Sequence, residues 1–111
     1  MDQIFDSGHQ VCLLLGSNKQ PESNLPLAVF HLRDQLKLLK VSSVWETPPV
    51  GSSGPNYLNA AVLAQTQLDP IALKAQVLVP IEAKMGRQRS DDKYAARPID
   101  LDILIFDGQV M

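Results

Sequence analysis

Asp100 and Asp102 stand two residues apart in an otherwise apolar run, Ile99-Asp-Leu-Asp-Ile-Leu-Ile-Phe106. Side chains two apart on a β-strand share a face. An extended run therefore projects both carboxylates together and sends Ile99, Leu101 and Ile103 the other way, into a core. Neighbouring carboxylates repel unless a cation lies between them. Hard oxygen donors at this spacing suit Mg²⁺, which takes a few carboxylates and completes its shell with phosphate oxygens and water. Just upstream, Arg87, Arg89, Lys93 and Arg97 form a cationic segment with few apolar residues. Arginine grips phosphate bidentately and lysine acts as a point charge. Metal ligands beside such a segment describe a site for a nucleotide polyphosphate. The plainer alternative is a solvated strand edge whose aspartates pair with nearby arginine. Asp91 and Asp92, within the cationic segment, fit that alternative as members of an ordinary solvated loop.

The elements that must position these groups follow from periodicity. Gln10–Leu15 reads as a buried strand, ended by the turn formers Gly16, Ser17 and Asn18. Asn24 is expected to cap a helix with Pro26 in its first turn and Leu25, Ala28, Val29, Leu32, Leu36 and Leu39 on one apolar face. Val41–Thr47 reads as a strand stopped by Pro48 and Pro49, and 50–56 as a flexible Gly/Ser/Pro loop. Tyr57–Thr66 is the next strand, with Tyr57 and Asn59 on one face and Leu58, Ala60 and Val62 on the other. Asp69 and Pro70 begin a second helix, with Ile71, Ala75, Leu78, Ile81 and Met85 as its stripe and Gly86 as its stop. Pro80 inside it predicts a kink, at about 3 kcal/mol if nothing compensates. The order βαββαβ predicts an α+β, ferredoxin-like sandwich. Its four-stranded antiparallel sheet would carry both helices on one face and the site on the other. A single domain over 1–111 is expected, with 1–9 flexible and the core at 10–107. His9 and His31 are expected to be exposed, Cys12 to be a buried inert thiol, and Trp45 to pack in the core or at a strand edge.

The stretch Arg97-Pro-Ile-Asp-Leu-Asp-Ile-Leu104 resembles the signature of the 6-hydroxymethyl-7,8-dihydropterin pyrophosphokinases: an arginine, two spacers, Asp-aliphatic-Asp and two more aliphatics. Four other stretches resemble the family in the same order. They are Leu15-Gly-Ser-Asn18, Thr47-Pro-Pro-Val50, Tyr57-Leu-Asn-Ala-Ala61, and Glu82 with Gly86-Arg87-x-Arg89. The resemblance runs from about Val11 to the last residue. It implies a ferredoxin-like core and transfer of diphosphate from ATP to the hydroxymethyl group of a reduced pterin, releasing AMP, in folate biosynthesis.

Roles follow from the same resemblance. Asp100 and Asp102 would hold two Mg²⁺, and Arg87 and Arg97 would act as catalytic groups on the transferring phosphates. Glu82, Arg89, Lys93 and Ile103 would complete the ATP site together with those arginines. Thr47, Pro48, Val50, Tyr57, Asn59 and Tyr94 would take the pterin, Asn59 by its paired donor and acceptor and Tyr57 by stacking. The segment 87–96 would close as a lid over both substrates. The chain departs from the family where Lys93 and Tyr94 stand in place of Arg and Trp, and where Val79 replaces a polar adenine-side residue. Family members also continue past Met111, into a His-containing ATP loop and a second pterin aromatic. Weak MgATP binding, weaker pterin binding and self-association through uncovered surface are expected on that account. The alternatives are a shortened relative that binds nucleotide or pterin without turnover, and an interaction module that keeps the core.

Composition sets the outer bounds. A chain of 111 residues, 45% hydrophobic, suffices for one core. A net charge of −2 does not suggest a nucleic-acid partner. The single cysteine excludes an intrachain disulfide and fits a reducing compartment. No apolar run is long enough to span a bilayer, and the first ten residues lack a basic leader. A cytoplasmic protein without a membrane partner is expected.

Overall fold

In the first strand, Val11, Leu13 and Leu15 alternate with Cys12, Leu14 and Gly16, and the first set is fully buried. Period-two patterning of this kind gives a sheet one core face and one open face. The computed structural model describes residues 8–49, 54–86 and 97–111. The elements are β1 (His9–Ser17), α1 (Pro21–Gln35), β2 (Lys37–Val41), β3 (Trp45–Thr47), β4 (Tyr57–Thr66), α2 (Pro70–Leu73), a π-helical turn (Lys74–Leu78), α3 (Val79–Lys84), β5 (Asp100–Phe106) and β6 (Gln109–Val110). The sheet runs β2-β4-β1-β5-β6, with β3 also on β4, and every pair is antiparallel. This is the ferredoxin-like arrangement, with six strands among the described residues rather than the expected four.

The two extra strands have local causes. β2 and β3 are one interrupted strand along β4. Val41 faces Val62 and Trp45 faces Asn59, so four steps on one side span three on the other. The surplus residue is a bulge, and Ser42 fills it by exchanging hydrogen bonds with Ala61 through its N–H and its Oγ. β6 follows from Asp107 and Gly108, both at positive φ (49° and 82°), the two-residue turn that hairpins favour.

Both helices differ from the periodicity reading. α1 starts at Pro21, not after Asn24. Gln20 is the N-cap in the left-handed region without a side-chain cap, and Pro26 lies inside the helix. Asn24 instead donates from Nδ2 to the carbonyl of Lys19 at 2.6 Å. Leu39 belongs to β2 and is exposed. In the second helical segment Leu73, Val77, Leu78 and Ile81 are buried, whereas Ile71 is 83% exposed and Ala75 is exposed. The π-helical turn accounts for this. Pro80 has no N–H and its ring crowds the carbonyl four residues back; widening the preceding turn relieves that clash. The N–H of Val79 accordingly bonds the Lys74 carbonyl, five residues back. The wider turn rotates the apolar face: of the expected stripe Leu78, Ile81 and Met85 keep to the core, while Ile71 and Ala75 turn outward.

One apolar cluster joins β1, β4 and β5 to α1 and the second helical segment, with Leu13, Leu15, Leu32, Leu73, Leu78 and Ile99 fully buried. Cys12, expected to be buried, is half-buried on the open face. His9, expected to be exposed, is half-buried: it pairs through Nδ1 with Asp107 Oδ2 at 2.6 Å and packs its ring on Phe106.

Candidate functional site

The open face of the sheet collects polar side chains in one row. In register, Trp45 faces Asn59, Asn59 faces Gly16, and Gly16 faces Asp100. The next row carries Ala61, Leu14 and Asp102. Asn59 and Asp100 therefore flank Gly16 across two strand spacings, about 10 Å at ~4.8 Å each. Gly16 keeps the floor between them low. A Cβ there would lie 3.2 Å from Asn59 Oδ1 and 3.5 Å from the Tyr57 ring.

The β4 side of this floor is tied together internally. Asn59 is 8% exposed. Its Nδ2 donates to Thr47 Oγ1 at 3.0 Å and to the Trp45 carbonyl at 3.3 Å. That leaves Oδ1 as the acceptor above Gly16. Tyr57 is half-buried beside it, and Pro48 is exposed just beyond β3. Trp45 lies at the strand edge, 42% exposed, rather than in the core.

The β5 side is charged. Ile99 and Leu101 are buried while Asp100 is half-buried and Asp102 exposed, so the carboxylates project to the open face as the spacing predicts. Arg97 Nη1 lies 3.7 Å from Asp100 Oδ2, a long ion pair. Among the described residues no group of three His, Cys, Asp or Glu side chains gathers. A donor set of two carboxylates, without imidazole or thiolate, fits Mg²⁺ better than Zn²⁺ or Ca²⁺, because Mg²⁺ takes its remaining oxygens from phosphate and water.

Glu82, expected at the ATP, is 8% exposed on α3, and its Oε2 accepts from the Leu101 N–H at 2.8 Å. Among the described residues β6 pairs with β5 at Ile105 and Phe106 only, so this carboxylate satisfies an edge donor that no described strand reaches. The geometry supports a positioning role for the strand between the two aspartates. Ile103 and Asp102 line a cleft of about 290 Å³ with Lys74, Leu78, Leu101 and Met111. A cleft of about 410 Å³ at the far end of β1 and β4, lined by Gly8, Gln35, Lys37 and Gln65 among others, holds none of the expected site residues. Val50, Arg87, Arg89, Lys93 and Tyr94 lie outside the described residues.

Sequence reasoning missed Asn18 as an individual. It is 7% exposed and binds Arg97 twice, through Oδ1 to the Arg97 N–H at 2.6 Å and through its own N–H to the Arg97 carbonyl at 3.1 Å. The signal was an Asn in a turn ending a buried strand, which offers no hint of a partner 79 residues away.

Comparison with known proteins gives a consistent result. The family model described as 7,8-dihydro-6-hydroxymethylpterin-pyrophosphokinase (HPPK) matches residues 12–111. A 2-amino-4-hydroxy-6-hydroxymethyldihydropteridine pyrophosphokinase of Bacillus subtilis is 35% identical, over 87% of this chain and 59% of its own length. A protein of the same name from Helicobacter pylori is 34% identical over 96% of this chain and 68% of its own. A "Folate synthesis bifunctional protein" of Arabidopsis thaliana is 37% identical over 87% of this chain, a match covering 20% of that longer protein. The chain thus spans at most about two thirds of these relatives. No helix among the described residues is long and apolar enough to cross a membrane.

Proposed function

The chain belongs to the 7,8-dihydro-6-hydroxymethylpterin-pyrophosphokinase family, and we propose that it transfers diphosphate from ATP to the hydroxymethyl group of 6-hydroxymethyl-7,8-dihydropterin, in folate biosynthesis. The observation that carries this reading is the row Asn59–Gly16–Asp100. It sets a neutral amide edge and a carboxylate pair on either side of one flat floor.

A pterin lying over Gly16 would meet Asn59 Oδ1 with a ring or amino N–H and stack against Tyr57. Thr47 acts first on Asn59, fixing the amide plane so that its acceptor is aimed before substrate arrives. The hydroxymethyl end would then point across the floor to β5. ATP would enter the cleft beside Ile103, its base against Ile103 and its phosphates toward Asp102. Asp100 and Asp102 would hold two Mg²⁺, which supply neutralisation of phosphate charge and a lowered pKa for the attacking hydroxyl. Arg97 would bind phosphate from the segment just before β5, with Arg87 as the second catalytic cation and Arg89 and Lys93 as further ATP contacts. Phosphoryl transfer asks mainly for alignment and charge compensation, and both walls are suited to that task.

Formation of AMP from ATP and Mg²⁺, with and without the pterin, tests this reading. Pterin-dependent AMP supports it. MgATP binding without AMP would favour the non-catalytic alternative. Self-association is proposed from the exposed Ile71 and Met111, which line the same cleft, and sedimentation at several concentrations checks it.

A further inference from the structure

Arg97, three residues before β5, is held by its backbone. Its N–H donates to Asn18 Oδ1 at 2.6 Å and its C=O accepts from the Asn18 N–H at 3.1 Å. Bonding both backbone groups of one residue fixes its φ and ψ more tightly than a single bond does. Asn18 is itself held. It is 7% exposed and follows the fully buried Ser17, whose Oγ donates to the Lys19 carbonyl at 3.1 Å. Asn24 Nδ2 donates to the same carbonyl at 2.6 Å. The turn after β1 is therefore a rigid bracket, and it grips the chain three residues before Asp100.

We infer that Asn18 is a positioning residue for phosphate binding, holding the Arg97 backbone so that its guanidinium stands beside Asp100 at the polyphosphate site. This rests on the phosphate role assigned to Arg97 above. A guanidinium is a planar fork whose bidentate grip depends on where its stem begins, so a loosened backbone costs affinity even though the charge remains. The Arg97 Nη1 to Asp100 Oδ2 separation of 3.7 Å places that fork at the carboxylate side of the floor. The tripeptide Gly16-Ser17-Asn18 then has a divided task. Gly16 clears the floor, Ser17 ties the turn, and Asn18 sets Arg97.

The test is a double-mutant cycle read by calorimetric titration with MgATP. Asn18→Ala is expected to weaken binding about tenfold, which equals ~1.4 kcal/mol. Asn18→Asp keeps an oxygen in place for the Arg97 N–H and is expected to remain within about threefold of wild type. With Arg97→Ala already present, Asn18→Ala is expected to cost nothing further, because its effect passes through the Arg97 side chain. If Asn18→Ala does not fold, Asn18→Ser takes its place, since serine is one carbon too short to reach the amide. Additive losses in the cycle, or an Asn18→Asp protein as weak as Asn18→Ala, would make Asn18 merely structural and overturn the inference. Weakened binding by Arg97→Ala with no effect of the Asn18 variants would overturn the inference alone. Unchanged binding by Arg97→Ala would remove the phosphate role of Arg97 and this inference with it.

Discussion

On the β4 side of the floor the polar groups are already joined to one another; on the β5 side they are charges of like sign on one face of a strand. Asn59, Thr47 and the Trp45 carbonyl form a closed set of neutral hydrogen bonds that stands before any ligand arrives. Asp100 and Asp102 share a face with Arg97 nearby at 3.7 Å. Neutral groups in fixed positions suit recognition of a flat ring by its edge, because little reorganisation accompanies binding. Paired carboxylates suit a ligand that brings its own cations. One wall is built for shape, the other for charge, and β1 joins them through Gly16.

The largest expected break falls on the charged wall. Asp100→Asn or Asp102→Asn should lower pterin-dependent AMP formation by at least about a hundredfold, the scale on which lost transition-state charge stabilisation is felt. Thermal unfolding should stay nearly level, since the like-charge repulsion relieved is offset by the weakened attraction between Arg97 and Asp100. A folded variant with near-wild-type turnover would separate the carboxylates from the chemistry. On the neutral wall, Asn59→Ala should weaken pterin binding by about five- to a hundredfold, from the 1–3 kcal/mol attached to a buried hydrogen-bonding group. MgATP affinity should stay unchanged, and calorimetry with each ligand in turn shows whether the walls act separately.

Gly16→Ala sharpens the comparison at the seam. The new methyl would sit 3.2 Å from Asn59 Oδ1. A loss of about threefold to tenfold in pterin affinity is expected, the cost of a small misplacement of one hydrogen bond. ATP should bind as before. Equal losses for both ligands would show that Gly16 serves the strand rather than the floor.

The face-sharing of Asp100 with Asp102 and of Tyr57 with Asn59 was legible because period-two geometry is rigid, and β4 has the expected bounds of Tyr57–Thr66. Where the chain diverged, a local alternative won. Pro21 at the first helical position was the better start signal for α1, and Asn24 with Pro26 imitated one a turn later. The Asp107-Gly108 pair is a hairpin signal that the strand reading ran past. The π-helical turn could not be placed from the apolar stripe, since the stripe presumes 3.6 residues per turn. Pairings distant in sequence, such as Asn18 with Arg97 and Glu82 with Leu101, follow only from the assembled sheet.

The smallest expected effect lies away from both walls, where β1 meets the hairpin turn. The hydrogen bond from His9, and then that from the Gln10 N–H, hold the Asp107 carboxyl below the ordinary carboxylate range. A lowered native pKa means that the unfolded chain binds the proton more readily. This contribution to stability is therefore present above the ordinary carboxylate value and lost as pH falls through the lowered one. The group is exposed to solvent, so the effect is small. Asp107→Asn should flatten the acid limb of a plot of melting temperature against pH and leave ligand binding untouched.

The division between the walls is tested most directly by titrating ATP, with and without Mg²⁺, into the wild-type and Asp102→Asn proteins. The account predicts Mg²⁺-dependent ATP binding by the wild type that Asp102→Asn loses, with pterin binding intact in both. An Asp102→Asn protein that binds MgATP as tightly as the wild type would contradict it.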